Sequence, residues 1–241
     1  MEQALPNPLA GENQNQNTEK KPMPYFVKKT QAPPKWTCDW NAWENAETAT
    51  LENLMPESSD HRPRVACRLL HDDTNIYGIY QVQDRYVKVT HVGYQVSVCK
   101  DSCVEFFFKP SVGPGYFNLE MNAGGSFLFY YVRNHQRTET GFIDYSEVAP
   151  QFGKLITVKT TLPQTVDPEI TTPVTWCAQF AIPMAAIEEY CGKVASLNGQ
   201  QWTCNFYKCG DDTSHPHWLT WAPIPICNYH LPEAFDKMSF E

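Results

Sequence analysis

Residues Tyr116 to Asn122 read Tyr-Phe-Asn-Leu-Glu-Met-Asn, which puts Tyr116, Asn118, Glu120 and Asn122 on one face of an extended chain and Phe117, Leu119 and Met121 on the other. A helix would scatter these apolar residues around its axis, so the period of two commits the segment to a strand with one packed face. Ser102 to Lys109 repeats the device: Cys103, Glu105 and Phe107 share one side, Val104, Phe106 and Phe108 the other. Two nearby strands therefore each carry a carboxylate opposite a row of apolar side chains. A solvated sheet face is expected to carry Lys, Thr, Ser and Arg. This one gathers Asn, Glu and Tyr, whose hydrogen-bonding groups lie in fixed planes and suit a polyhydroxylated ligand reached from water.

Strand signals recur along the chain, over Arg64–Leu70, Asn75–Gln83, Ser126–Arg133, Lys154–Leu162, Val174–Ile182, Gln201–Lys208 and Lys237–Phe240. Asp72-Asp73, Gly113-Pro114-Gly115 and Gly124-Gly125 supply the turn chemistry between them. Pro183 to Tyr190 reads as a helix, with Pro at its start and Gly192 just past its end. Many strands and one short helix predict an all-β fold, an antiparallel β-sandwich with jelly-roll or immunoglobulin-like layers. At 241 residues the chain fits one such unit, expected over residues 25–241, behind an Asn/Gln-rich disordered tail over residues 1–24. Between them the sequence predicts irregular structure with a helical turn near Ala46–Leu54, and Trp36, Trp40 and Trp43 as lid packing.

A net charge of −8 with scattered basic residues argues against a nucleic-acid partner, which needs clustered Lys and Arg. Arg62, Arg64 and Arg68 read as a solvated face or structural ion pairs. The nine cysteines are an odd set without zinc-finger spacing and read as thiols, Cys99 and Cys103 among them. No apolar leader follows Met1, as expected of a cytoplasmic chain or of a secreted one whose leader has been removed. No apolar run reaches the ~18 residues of a membrane span.

Three constellations could carry chemistry. Glu105 and Glu120 lie on the polar faces of strands expected to be neighbours, close enough for a glycosidase pair but equally suited to hydrogen bonding or cation binding. Cys209, Asp211, Asp212, His215 and His217 form a short run that reads as a polar loop rather than a fixed metal pattern. The run from Trp218 to Phe235 places Asn228, Tyr229 and His230 on a Pro-stiffened loop; Tyr229 and His230 are its expected exposed pair, while Trp221 and Phe235 read as core. A remote third class, haem held through His or Met, has only His91 and Met121 to offer. No phosphate loop or Gly-x-Ser-x-Gly elbow is present.

The succession Leu69-Leu70-His71-Asp72-Asp73 through Asp84, then Asp101-Ser-Cys-Val104-Glu105-Phe106-Phe107, then Tyr116 to Asn122, then Pro232-Glu-Ala-Phe235 resembles the family 9 carbohydrate-binding modules over Pro34 to Phe240. The resemblance implies a non-catalytic sandwich that holds sugars between two aromatic side chains, carries structural calcium and works alongside glycoside hydrolases in carbohydrate breakdown. It places a hydrogen-bonding Glu on Glu105, a binding Asn on Asn122 and one stacking aromatic on Tyr229. The second aromatic falls on Cys99, which cannot stack, and the binding Arg falls on Glu120, which reverses the charge. Tyr94 or one of Trp36 to Trp43 is the expected replacement ring. The expected function is binding of an oligo- or polysaccharide through Glu105, Asn118, Glu120, Asn122, Asn228 and Tyr229; the alternatives are a glycoside hydrolase using Glu105 and Glu120, and a haem-binding electron-transfer sandwich.

Overall fold

The computed structural model describes residues 24–241, so the tail expected over residues 1–24 lies, but for Pro24, outside the described residues. Alternation folds the chain into two β layers. One runs Phe142–Glu147, Phe127–Arg137, Tyr116–Asn122, Cys103–Lys109, Gln201–Cys209 and Asp236–Phe240, antiparallel throughout. The other runs Arg64–His71, Asn75–Asp84, Val174–Pro183 and Thr157–Thr160, with Thr48–Leu51 added to the first of these. Tyr25–Lys29 bridges the layers, pairing parallel with Asp236–Phe240 through Tyr25 to Val27 and with Arg64–His71 through Lys28 and Lys29. The sandwich expected from the pattern is thus antiparallel except at this seam.

Between the layers lie the residues that the alternation marks as apolar: Val104, Phe106 and Phe108 with Phe117, Leu119 and Met121, against Val65, Tyr80, Trp176 and Phe180. Burying each of the Phe side chains contributes about 1.5–3 kcal/mol. The opposite face of the Cys103–Lys109 and Tyr116–Asn122 strands is also covered. Cys103, Phe107, Tyr116, Tyr207 and Cys209 pack there under Phe142, Tyr229 and Phe235 in a second apolar cluster. Every residue of Tyr116–Asn122 is buried as a result. A strand pattern reveals only that its two faces differ, not that a later segment will roof the polar one.

The helix appears as Met184–Cys191, ended by Gly192 at φ +94°, a conformation that favours glycine. The helical turn expected near Ala46–Leu54 is instead two strands, Thr48–Leu51 and Asn53–Leu54. Ala49 and Leu51 face inward while Thr48 and Thr50 face out, and the pairing with Arg64–His71 overrides local helix preference. One helical turn does form just before it, over Trp40–Trp43. Trp43 is buried there against Tyr77, Ile79, Cys177 and Ala181, with Trp36 and Trp40 beside it, on the layer remote from Glu105 and Glu120. No described helix is long and apolar enough to cross a membrane.

The layers are also pinned by charge. Lys208 from one layer and Asp84 from the other, both side chains fully buried, stand 3.5 Å apart. Lys208 donates to His217 Nε2 at 2.6 Å and to the Cys209 carbonyl at 2.9 Å. Asp84 meets His61 Nε2 at 2.7 Å and accepts from Trp176 Nε1 at 3.1 Å.

Candidate functional site

Strand register assembles the site. Glu105 stands directly across from Glu120, Asn118 across from Phe107 and from Tyr130, and Tyr207 across from Glu105 on its other side. Side chains in such register share one face of the sheet and come into contact. The next strand places Trp218 opposite Cys209. The row Tyr130, Asn118, Glu120, Glu105, Cys209 and Trp218 is therefore a floor of hydrogen-bonding groups with an aromatic at each side.

A cleft of about 410 Å³ stands over this floor, within the ~300–1,000 Å³ of small-molecule sites. Tyr130 and Tyr145, 5.4 Å apart between ring centres, flank it on one side, and Trp218 and Tyr229 on the other. Exposed Arg137 and Thr140 stand at its mouth, and Cys99, Asp211, Asn228 and His230 complete the wall. Trp218 donates through Nε1 to Asp211 Oδ1 at 2.8 Å, which fixes the ring.

Where the face was expected to open broadly to water, Glu105 is 2 %, Asn118 1 % and Glu120 6 % exposed; the roof confines access to the cleft. Asn118 donates Nδ2 to Glu120 Oε1 at 2.9 Å, and Cys209 donates Sγ to Glu105 Oε1 at 3.1 Å. Asn118 Oδ1 has no hydrogen-bond partner. It is one of three such buried side-chain atoms among the described residues, with Trp202 Nε1 and Asp236 Oδ2, and of these three residues it is Asn118 that lines the cleft. A buried acceptor left unpaired costs about 1–3 kcal/mol, and a donor entering the cleft would recover that loss.

Burial, and next the neighbouring Glu120, push Glu105 well above the usual carboxylate range. Burial likewise raises Glu120, to about 7, against the opposing Asn118 hydrogen bond and Arg137 charge. A carboxyl raised on folding holds its proton in the native state, so ionisation costs stability as pH rises from the unfolded value, ~4.3, through the native one. Glu105→Gln is accordingly expected to be more stable than the wild type above pH ~7, with the gap shrinking to nothing below pH ~4. Urea unfolding of both proteins at the two pH values checks this; an equal gap at both would show that ionisation is not its source.

Asn122, across from Cys103, has a different place. Its Nδ2 donates to the His91 carbonyl and to Asp101 Oδ2, both at 2.8 Å, and its Oδ1 accepts from the Gly124 and Ser126 amides. With both ends of the amide bonded it closes the Gly124-Gly125 turn and does not line the cleft. The expected exposure of Tyr229 and His230 is also corrected. Tyr229 is stacked on Tyr207 at 4.0 Å and donates its hydroxyl to the Lys208 carbonyl at 2.9 Å; His230 is hydrogen-bonded to the Tyr116 hydroxyl at 2.7 Å. Both are under a tenth exposed, yet both line the cleft. Asn228 accepts the His230 amide.

Neither expected replacement ring reaches the site. Tyr94 donates to the Val148 carbonyl, at 2.5 Å, and packs on Phe127, while Trp36 to Trp43 cover the far layer. The aromatics that do reach it, Tyr130, Tyr145 and Trp218, come from strands paired around the floor. Position 120 carries no cation, but Arg137, four residues beyond the expected end of its strand, lines the cleft.

The loop from Cys209 to His217 splits between sites. Asp211 joins the cleft, His215 stacks on Tyr86 at 3.6 Å, and His217 joins the Lys208–Asp84 network, where burial and then the Lys208 charge pull it down to about 3. His91, the remote haem candidate, sits against Asp101 at 3.1 Å, and Met121 lies in the core. Among the described residues two groups could hold a metal ion: His61, Asp84 and His217, and Cys103, Glu105 and Cys209. Calcium takes about six to eight oxygens. Neither group is an oxygen set, so neither fits the calcium implied by the resemblance.

A sequence model described as carbohydrate-binding family 9 matches residues 41–240. Among solved structures the chain is similar to a protein of Bacteroides uniformis proposed to bind carbohydrate, at 27% identity with 90% of this chain and 98% of that one covered and a TM-score of 0.77. It is also similar to a family 9 carbohydrate-binding module of Caldicellulosiruptor kristjanssonii solved with cellotriose, at 14% identity, 91% and 94% coverage and a TM-score of 0.56. The same module with glucose gives 14%, 91% and 96%, and 0.55; at that identity the likeness concerns the fold. No curated protein matches.

Proposed function

The chain belongs to carbohydrate-binding family 9, and on that premise we propose that it is a non-catalytic carbohydrate-binding protein whose ligand enters the cleft over Glu105, Asn118 and Glu120. The observation that carries this reading is Asn118 Oδ1, a buried acceptor with no internal partner beneath a cleft. A sugar hydroxyl is a donor of the right size, and the adjacent carboxyls accept further hydroxyls through charge-assisted bonds when ionised. Sugars also present flat C–H faces. Tyr130 and Tyr145 on one side and Trp218 and Tyr229 on the other offer rings for them, and rings already held by packing lose little freedom on binding.

Arg137 and Asn228 at the rim complete the proposed contacts. Asn122 leaves the set, because its hydrogen bonds are spent on the turn. Service to carbohydrate breakdown beside a separate glycoside hydrolase is part of the proposal and rests on family membership. No finding favours the hydrolytic alternative for Glu105 and Glu120.

The test is calorimetric titration of the full chain with glucose, cellotriose and a panel of other mono- and oligosaccharides. One-to-one saturation by at least one of them is expected, at the modest affinity of a site that exchanges hydrogen bonds with water. No saturable binding by any panel sugar at about 10 mM, a concentration that detects even Kd ~1 mM, would contradict the reading.

A further inference from the structure

The floor of the cleft holds a second set of groups that a sugar does not require. Cys103 and Cys209 are direct cross-strand neighbours, and Glu105, two residues beyond Cys103, shares their face. The two sulfurs and a Glu105 oxygen all lie within 4.8 Å of one another. Cys209 donates to Glu105 Oε1 at 3.1 Å, and among the described residues the Cys103 thiol has only the Val104 carbonyl, at 3.7 Å. All three residues are buried, yet Glu105 and Cys209 line the cleft, which gives the cluster a path from solvent.

We propose that Cys103, Cys209 and Glu105 form a three-ligand site for a soft divalent cation of the zinc class, with the fourth coordination position facing the cleft. Zn–S bonds of ~2.3 Å and Zn–O bonds of ~2.0–2.2 Å hold tetrahedral ligand atoms about 3.5–3.8 Å apart. The observed cluster reaches that spacing through small side-chain movements on strands whose backbones are fixed by pairing. Two sulfur donors select against calcium and magnesium and in favour of zinc or cadmium. The surroundings favour a dication too, since Glu120 on the floor and Asp211 in the wall line the same cleft. Binding replaces the two S–H bonds and the Glu105 O–H bond by two metal–sulfur bonds and one metal–oxygen bond and releases all three protons to the buffer, with no change of oxidation state. The other group, His61, Asp84 and His217, differs in already holding a cation, the Lys208 ammonium, against His217 and Asp84.

This inference does not rest on the sugar reading, and its readout needs no sugar. The reduced, chelator-treated full chain is titrated with Co²⁺. Saturation at one equivalent with a thiolate-to-cobalt charge-transfer band is expected, reversed by Zn²⁺. Cys209→Ser is expected to weaken cobalt binding at least about tenfold and to remove most of the band, whereas Cys191→Ser, altering a thiol at the end of the Met184–Cys191 helix, leaves both intact. A readout independent of variants is X-ray absorption of the zinc-loaded wild type, which should show two sulfur neighbours at about 2.3 Å. Nitrogen and oxygen neighbours alone, or no saturable cobalt band while the thiols titrate as free, would overturn the proposal.

Discussion

Asp84→Asn is expected to lower the stability of the protein by about 3–5 kcal/mol, the usual effect of removing one partner of a buried ion pair and leaving the other charge uncompensated. Lys208 reaches Asp84 from the opposite layer, and both side chains are fully out of solvent. Its remaining contacts are His217 Nε2 and one carbonyl. Because His217 donates Nδ1–H to the His215 carbonyl at 2.8 Å, its Nε2 is free to accept the ammonium proton, and the imidazole stays neutral. No other carboxylate is ion-paired with Lys208 among the described residues, so Asn at position 84 strands the ammonium.

The same pair sets the acid limb of the stability curve. Burial works to raise the Asp84 carboxyl, but the Lys208 charge and the His61 hydrogen bond outweigh it and hold the group well below the ordinary carboxylate range. A depressed native value contributes stability above the unfolded value, ~3.9, that is lost as pH falls toward the native one. Wild-type stability should therefore drop steeply below pH ~4, and the Asp84→Asn variant, already without that contribution, should show a shallower drop. Urea midpoints from pH 2 to 7 check both. A loss under about 1 kcal/mol at neutral pH would mean that water or a rearranged side chain satisfies Lys208.

The second large effect concerns the ligand rather than the fold. Asn118→Leu is close in size, removes the unpartnered Oδ1, and loses the Nδ2 bond to Glu120. The folded state gains from the first change and loses from the second, so unfolding stability should move by no more than about 1 kcal/mol. Affinity for the best panel sugar should fall about 10- to 100-fold, the equivalent of losing hydrogen bonds worth about 1–3 kcal/mol in a desolvated site. Calorimetry beside thermal unfolding separates the two outcomes. A variant that is equally stable and binds undiminished would show that the sugar does not use Asn118.

Much of the architecture was legible because β pairing leaves a period-two trace: the strands of both layers that alternate, and the short helix with its terminal glycine, fall within a few residues of where the sequence puts them. The elements that the sequence hid carry little alternation of their own. Tyr25–Lys29, Phe142–Glu147 and Trp218–Thr220 are short edge or seam strands, the first defined by partners far away in the chain and the other two laid against the strands just before them. The site divides in the same way. Glu105, Asn118 and Glu120 were legible from alternation alone, but their burial was not, since the roof is built by the 137–145 hairpin and the 218–235 segment. Arg137 was missed because its strand runs four residues past Arg133, into polar sequence. Asn122 carries the right side chain on the right face and is nevertheless consumed by the turn beside it.

Whether a sugar hydroxyl completes the hydrogen bonding of the cleft floor is decided by solving the structure of the protein with the tightest-binding panel sugar. The expected result is a sugar ring in the cleft, packed on Tyr130, Tyr145, Trp218 or Tyr229, with a hydroxyl within hydrogen-bond distance of Asn118 Oδ1. A sugar seated elsewhere on the molecule, with the cleft holding only water, would contradict it.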